Sequence, residues 1–358
     1  MNFSITKKPI FEMPHDTCEG PFKLINSTHF LYVDDSLNIK CINMKTNKIT
    51  FVLKEEDLAD PSFGLVNKLK LLVKTSESKV ILYQINKTLS ELEKIKVLNI
   101  NGFQIARSLY KDGYIIGCEN NILIYDFKDE LQLSIPTKYN FFGFDYHVTA
   151  PFEIELKNKN NNLLVLPMGH KTDIFLRNQL KKVITINSII NDALDMDDGN
   201  IILACEEKLV LVNLKNYMTE YEVECPQIEE KLEYWDIHNF SDIFKYKDNI
   251  FTTISGMSDQ NGNNYLISFW KYNLDKSNNK LELIQSLEFN YYDLMMDKEK
   301  LLIMSDHSII RLSIKEIEGK AQNIIKTTTS SEYNKKMKEK KVKEKSGNKS
   351  KKNKKSDN

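Results

Sequence analysis

The chain has 358 residues, of which 41 % are hydrophobic and 28 % charged, and its 50 basic residues balance its 50 acidic ones. This composition indicates a globular protein, and no apolar run approaches the ~20 residues that a membrane-spanning helix needs, so we expect no membrane insertion. The N-terminus lacks the apolar core of a secretory signal, and the five cysteines form no CxxC pair. These features argue against a disulfide framework and a cysteine zinc site, and they favour the nucleus or the cytoplasm.

Hairpin-like units recur along the chain. Three of them share a turn, a buried β-rich run, a second turn and another β-rich run: RSLYKDGYIIGCENNILIYDF (107–127), DALDMDDGNIILACEEKLVLVNL (192–214) and YDLMMDKEKLLIMSDHSIIRLSI (292–314). Weaker copies begin at His29, Lys68, Asn161 and Asp248. One marker residue per unit gives spacings of 38–51 residues: Phe30, Leu69, Tyr114, Leu163, Ile201, Ile250 and Leu301. Such spacing is typical of propeller blades of about 40–50 residues.

Further strand-like runs between these hairpins bring the count to about four strands per unit: KITFVL (48–53), KIKVLNI (94–100), LQLSIP (131–136) and KLELIQSLEF (280–289). No gap holds a helical pattern over three turns. The sequence therefore predicts an all-β chain, folded over residues 1–325 as a single seven-bladed β-propeller. A propeller must close its ring, and we expect NFSITKK (2–8) to supply the strand that completes the last blade after Ile314.

Two of the units resemble a known repeat family. The segments DGYIIGCENNILIYDF and DDGNIILACEEKLVLVNL are similar to the Pro-Asp-Gly turn, the Ser-Gly strand and the Trp-Asp end of WD-repeat propellers. Tyr125-Asp126 stands at the position of the Trp-Asp dipeptide, and Trp270-Lys271 occupies the same position in the sixth unit. The resemblance implies a WD-repeat-like propeller over roughly residues 20–320.

Motifs for catalysis, cofactors and metals are missing from the sequence. It contains no GxGxxG, GxxxxGK[ST], HExxH or GxSxG motif, and its six histidines have no histidine neighbour at i+3 or i+4. The run from Asp195 to Gly199 matches a calcium loop only in part, and we interpret it as a tight turn between two strands of the fifth unit. We therefore expect no enzyme activity, no cofactor and no metal.

The most distinctive insertion is PQIEEKLEYWDIHNF (226–240). Its aromatic residues Tyr234, Trp235 and Phe240 are candidates for binding a protein partner, because Trp and Tyr are common interface anchors. The alternative is that these side chains fill the core between two blades.

The C-terminal residues 326–358 are predicted to be a disordered, Lys-rich tail, of which Ser331 to about Lys345 could fold as a helix on a partner. The last 24 residues carry twelve lysines against three acidic residues, a net charge of +9, which leaves residues 1–334 at −9. We interpret the tail as an arm for RNA or DNA phosphates or a nuclear-import signal, and the alternative is a solvated terminus. The candidate nucleic-acid-binding residues are Lys335, Lys336, Lys338, Lys340, Lys341, Lys343, Lys345, Lys349, Lys351, Lys352, Lys354 and Lys355.

A second resemblance concerns the C-terminal part of the chain. The order of FWKYNLDKSNNKLELIQSLEF (269–289), a final hairpin and SSEYNKKMKEKKVKEK (330–345) resembles the end of the propeller subunit of the tRNA guanine-7 methyltransferase complex. The leading hypothesis is a non-catalytic scaffold in an RNA-associated complex, in ribosome assembly or tRNA modification. The alternative is a protein-only interaction propeller in trafficking, the nuclear pore or ubiquitin-ligase adaptors, with the tail incidental.

Overall fold

A computed structural model describes residues 2–15, 17, 22–54, 63–67, 69–76, 79–109, 113–137, 151–157, 161–168, 170–228, 239–259, 262–274, 280–290, 294–297, 301–305, 308–317 and 327–328. These residues form seven antiparallel sheets of four strands each and one sheet of two strands. The part of the chain that the structure describes contains no helix. The predicted all-β, seven-bladed propeller is therefore confirmed.

The first six blades follow one another along the chain, and in each of them the four strands pair in chain order. Blade 1 comprises β2 (Lys23–Asn26), β3 (His29–Val33), β4 (Ile39–Asn43) and β5 (Lys48–Leu53). Blade 2 comprises β6 (Phe63–Val66), β7 (Lys70–Ser76), β8 (Lys79–Ile85) and β9 (Leu92–Asn99). Blade 3 comprises β10 (Phe103–Leu109), β11 (Gly113–Cys118), β12 (Asn121–Asp126) and β13 (Leu131–Pro136). Blade 4 comprises β14 (Phe152–Ile154), β15 (Leu163–Pro167), β16 (Thr172–Leu176) and β17 (Lys181–Ile186).

Blade 5 comprises β18 (Ile190–Asp195), β19 (Asn200–Cys205), β20 (Lys208–Asn213) and β21 (Met218–Glu224). Blade 6 comprises β23 (Asn239–Lys247), β24 (Ile250–Asp259), β25 (Gly262–Tyr272) and β26 (Leu281–Asn290). Blade 7 combines β27 (Leu294–Asp297), β28 (Leu302–Ser305) and β29 (Ser308–Ile317) with the N-terminal strand β1 (Asn2–Glu12). Each of the seven marker residues lies in, or directly before, the second strand of a blade.

Burial changes from the centre of the ring to its rim. The first strands of successive blades lie against one another, β6 against β10, β10 against β14, β14 against β18 and β18 against β23, so they surround the central channel. The second strands are covered on both faces and are almost continuously apolar, as in β11, where every residue is buried. The fourth strands form the rim, and β9 is largely exposed.

Seven apolar clusters fill the spaces between successive blades, one cluster for each pair. The cluster between blades 6 and 7 contains Phe3, and the cluster between blades 7 and 1 contains Phe11 and Met13. The N-terminal segment therefore contributes to the two interfaces on either side of blade 7.

The predicted ring closure is confirmed, because β1 pairs with β29 from Asn2 opposite Ile317 to Glu12 opposite Ser308. Phe3 is buried and stacks on Phe269 with ring centroids 4.1 Å apart. Its backbone is held by the side chain of Gln285, whose Oε1 accepts from Phe3 N at 2.7 Å and whose Nε2 donates to Phe3 O at 3.2 Å. Backbone pairing to blade 7 and side-chain packing on blade 6 both close the ring.

One short pairing lies near the predicted start of the tail at residue 326. Thr327–Thr328 (β30) pairs with Gln227–Ile228 (β22) in the two-stranded sheet. The run of threonines favours this extended pairing, because β-branched residues suit strands.

Glycine permits the close approach of two first strands. A Cβ at Gly64 in β6 would lie 2.7 Å from the Cβ of Ala106 in β10. Real Cβ atoms do not approach this closely, so the convergence of blades 2 and 3 toward the channel depends on the absence of a side chain here.

We expect Phe3→Ala to lower the free energy of unfolding by about 3–5 kcal/mol, because it removes a buried ring from the closure and leaves a cavity. Urea denaturation of the full chain measures the change. Lys8→Ala is the matched control on the exposed part of β1 and should change stability by less than about 0.5 kcal/mol. Equal effects of the two substitutions would contradict the role assigned to Phe3.

We expect Gly64→Ala to destabilise the protein by about 1–3 kcal/mol through overpacking against Ala106. Adding Ala106→Gly should recover part of the loss, because the second substitution removes the methyl group that the new Cβ meets. Additive effects in this double-mutant cycle would show that the two positions do not compete for the same space.

Candidate functional site

One of the predicted partner-binding residues lies in the core. Phe240, in β23, has 0 % exposure and packs in the cluster between blades 5 and 6, with its ring centroid 6.3 Å from that of Trp270. The prediction that Phe240 binds a partner is therefore wrong, because its strand directs the ring into the core. Tyr234 and Trp235 lie outside the described residues, and so do all twelve candidate lysines of the tail (335–355).

We call the ends of the blades at which a fourth strand leads to the next first strand the entry face. On this face, between blades 5 and 6, β22 follows the buried residues Cys225 and Pro226 and begins at Gln227, which is also buried. Gln227 Nε2 donates to the carbonyl oxygen of Cys225 at 3.1 Å, and β22 pairs with β30. We call this two-stranded sheet the β22–β30 anchor.

The β22–β30 anchor brings two distant parts of the sequence together. Residues 229–238, which follow β22 directly, contain three glutamates and one aspartate against one lysine. The Lys-rich tail begins a few residues after β30. The acidic, aromatic insertion and the basic tail therefore leave the propeller from the same small sheet.

Charged side chains lie on several first strands, where the blades surround the central channel. Lys23 is on β2 of blade 1 and Arg107 on β10 of blade 3. Asp192 on β18 and Asp242 on β23 belong to blades 5 and 6. Asp192 Oδ2 accepts a hydrogen bond from the backbone N–H of Ile243 at 2.8 Å, which joins these two blades.

The environment of the two channel cations is unusual. The pKa of Lys23 is lowered to about 8, mainly by burial and further by the positive charge of Arg107. The Lys23 side chain is nevertheless exposed to solvent by its accessible surface. Burial also lowers the pKa of Arg107, which the carboxylates of Asp192 and Asp242 raise. The guanidinium lies 5.9 Å from the ring centroid of Phe152, within the range of a cation–π contact.

The opposite ends of the blades carry salt bridges between neighbours. Asp197, in the turn between β18 and β19, accepts from Lys245 at 2.9 Å and from Lys157 at 3.2 Å. These two lysines hold the pKa of Asp197 below its ordinary value, first through the hydrogen bond from Lys245. The interpretation of Asp195–Gly199 as a tight turn between two strands is confirmed. Across the described ranges, no group of three or more His, Cys, Asp or Glu side chains could hold a metal ion.

The described cysteines are buried free thiols: Cys41, Cys118, Cys205 and Cys225. Burial raises the pKa of Cys41 to about 11 and that of Cys118 to about 12. Such thiols remain protonated at neutral pH and are poor nucleophiles. Cys118 and Cys205 each end the second strand of a blade, which is the equivalent register expected from the repeats.

The sequence patterns did not predict two features of the blades: a buried side-chain hydrogen bond in blade 6 and the charged residues on the first strands. Trp270 Nε1 donates to the buried Thr253 Oγ1 at 2.9 Å, a link between the second and third strands of blade 6. Arg107 was the available signal for a charge at the centre of the ring, because it is one of only three arginines in the chain and follows the apolar pair Ile105-Ala106 in FQIARSL.

With its closed ring of seven four-stranded blades, the chain is a seven-bladed β-propeller. It is similar in fold to the WD40 repeats of RRP9, with a TM-score of 0.54 at 7 % identity over 86 % of this chain and 97 % of that one. The structure of U3-55K gives a TM-score of 0.53 at 6 % identity, over 86 % and 98 % of the two chains.

A KlHsv2 variant with loop 6CD replaced by a Gly-Ser linker gives a TM-score of 0.50 at 10 % identity, over 76 % of this chain and 85 % of that one. No protein-family model matches the chain, and no curated protein matches it by sequence. Identities this low establish the fold alone. No helix among the described residues has the length and apolar character to cross a membrane.

We expect the stability of the protein to rise between about pH 8 and pH 10.5 by an amount that depends on Lys23. The pKa of Lys23 in the folded protein, about 8, lies below the ordinary 10.5, so in this range the unfolded chain binds more protons than the folded chain. A rise in pH removes these protons and therefore favours the folded state. After discounting for the solvent contact of the side chain, the contribution is about 1 kcal/mol.

Urea midpoints at several pH values, measured for the natural chain and for Lys23→Met, isolate this contribution. The substitution should flatten the pH dependence, whereas Lys48→Met on the exposed rim strand β5 should leave it unchanged. An unaltered slope in Lys23→Met would show that Lys23 titrates normally.

Proposed function

We propose that this protein is a non-catalytic scaffold subunit of an RNA-associated complex. In this proposal the propeller holds a protein partner on its faces, and the C-terminal tail contacts RNA phosphates without reading sequence. The observation that supports it most directly is the β22–β30 anchor, which roots the basic tail on the entry face beside the insertion that carries Tyr234 and Trp235.

The distribution of charge supports different roles for the C-terminal tail and the propeller. The tail carries +9 and the rest of the chain −9, so RNA is attracted to the tail and repelled by the body. The tail contains lysine and no arginine, and lysine provides point charges rather than the bidentate fork that recognises base edges. The tail therefore suits sequence-independent contact with phosphates, and the propeller suits the selection of a protein partner.

The setting that we propose is ribosome assembly or tRNA modification, in the nucleus or the cytoplasm. The function requires no cofactor or metal. The scaffold role follows from rigidity, because polar contacts between neighbouring blades, such as those of Asp197 and Gln285, hold the faces in a fixed geometry on which a partner can dock.

A second candidate function is that of a protein-only interaction module in trafficking, the nuclear pore or ubiquitin-ligase adaptors, with the tail incidental. It is favoured by exposed apolar side chains on the rim of blades 1 to 3. Ile95 and Val97 in β9 are 45 % and 42 % exposed, and Phe127 and Leu131 in blade 3 are 60 % and 52 % exposed. Partners that bind this rim would not need the tail.

The salt dependence of RNA binding tests the proposal. We expect the full chain to bind single-stranded RNA with an affinity that falls steeply with salt, since each phosphate contact releases counterions. Replacing Lys349, Lys351, Lys352, Lys354 and Lys355 by Gln should reduce the slope of log K against log salt by about 3.5, at roughly 0.7 per contact. Filter binding or fluorescence anisotropy at several salt concentrations measures the slope.

The matched control carries the same number of Lys→Gln changes on the propeller, at the exposed residues Lys45, Lys48, Lys87, Lys128 and Lys215. It should leave the slope unchanged. If the two variants lose equal affinity, the RNA contact is a general charge effect and the arm is not its site. If the natural chain binds no RNA and captures the same protein partners as the tail variant, the protein-only function is correct.

A further inference from the structure

The two ends of the blades differ strongly in charge. We call the end opposite the entry face the exit face, which holds the turns between first and second strands and between third and fourth strands. Counted from the sequence, the loops that join strands at the exit face carry a net charge of +3. The loops that join strands at the entry face carry −15. The entry face is therefore the acidic end of the propeller.

Three glutamates present this charge on blades 3 and 5, in the turns between second and third strands: Glu119, Glu206 and Glu207. Glu119 and Glu207 are exposed, and Glu206 is half-buried. Among the side chains that the structure describes, none forms a salt bridge with these carboxylates. The equivalent turn of blade 4 carries His170 and Lys171, which offset only part of the negative charge. A further cation beside the adjacent carboxylates of blade 5 would be favourable.

The backbone places the acidic turn of blade 5 beside the β22–β30 anchor. The carbonyl oxygen of Glu207 accepts a hydrogen bond from the N–H of Cys225 at 2.7 Å, two residues before Gln227. Gln227 in β22 is opposite Thr328 in β30. A residue spans at most about 3.6 Å and paired strands lie about 4.8 Å apart, so Thr328 lies within about 15 Å of the Glu207 backbone. The segment that leads into the tail therefore begins close to these carboxylates.

The tail has the length and the charge to occupy this surface. Lys335 is seven residues beyond Thr328, a distance that an extended chain covers with up to about 25 Å. The last 24 residues carry a net charge of +9. A single exposed ion pair contributes little, but a basic segment on a short tether meets an acidic surface at an effective concentration in the mM range. Several weak ion pairs on such a tether are enough for docking.

We infer that the entry face is a docking surface for the Lys-rich tail of the same chain, which lies against the acidic turns of blades 3 and 5 when RNA is absent. RNA phosphates compete with the carboxylates for the same lysines, so docking lowers the affinity of the tail for RNA. The docking itself depends only on the charges and the position of the anchor, whereas its effect on RNA rests on the proposed function. The exit face, at +3, offers the tail no comparable surface.

Zero-length cross-linking of the full chain tests the docking without RNA. A carbodiimide joins a lysine amine to a carboxylate only where the two groups touch, and mass spectrometry of the monomeric product identifies the pairs. We expect the tail lysines to be joined to the three entry-face glutamates at least about threefold more often than to exposed glutamates of the exit face, because of the short tether. The exit-face reference residues are Glu91, Glu130 and Glu155.

Two results of the cross-linking would overturn the inference. Equal yields on the two faces would show that the tail has no preferred surface on the propeller. A yield that falls when the protein is diluted would show that the tail docks on a second copy of the chain.

The affinity for single-stranded RNA at low salt tests the competition. If about two thirds of the molecules have a docked tail, releasing it should strengthen RNA binding about threefold. The entry-face variant that removes the docking charges carries Glu119→Gln, Glu206→Gln and Glu207→Gln. The matched exit-face variant carries Glu91→Gln, Glu130→Gln and Glu155→Gln, and it reports the general effect of removing three negative charges. Equal gains in the two variants would contradict the competition.

The two experiments separate this inference from the proposed function. If the natural chain binds no RNA, the proposed function is wrong, and the cross-links still decide whether the tail docks on the entry face. If the natural chain binds RNA through its tail but the cross-links show no preference for the entry face, the docking is wrong and the proposed function stands.

Discussion

Each blade of this propeller has two apolar faces, and a neighbouring blade must cover both of them. An open ring would leave one apolar face of blade 7 and one of blade 1 in contact with water. This exposure would carry a free-energy penalty, because burial of apolar surface is the main favourable term in folding. The strand β1 removes this penalty because it contributes Phe3 to one side of blade 7 and Phe11 and Met13 to the other. The integrity of the channel and of both faces depends on this single long-range pairing.

Closure of the ring also determines the electrostatics of the centre. Lys23, Arg107, Asp192 and Asp242 are far apart in sequence, and they share one channel only because their strands occupy the same position in four different blades. Burial lowers the pKa of Lys23 and of Arg107, and the carboxylates of Asp192 and Asp242 raise that of Arg107. The closed ring thus brings Arg107 of blade 3 within electrostatic reach of carboxylates on blades 5 and 6.

The two ends of the blades serve different purposes. At the turns between first and second strands, Asp197 links three successive blades through Lys157 and Lys245. At the entry face, the β22–β30 anchor gathers the insertion and the start of the tail. One end of the ring is thus cross-linked by salt bridges, and the other end carries the insertion and the start of the tail.

Local patterns in the sequence determined the number of blades, the positions of most strands and the part of the chain that closes the ring. Hairpin spacing and apolar runs depend only on residues that are close together in the sequence. The predicted strand at 131–136, for example, coincides with β13. The direction of Phe240 into the core, the bond from Trp270 to Thr253 and the pairing of β22 with β30 were decided by the tertiary structure. The same holds for the channel charges, since the sequence pattern of a strand does not reveal which strands surround the axis. Those contacts join residues that only the closed ring brings together, so no local pattern encodes them.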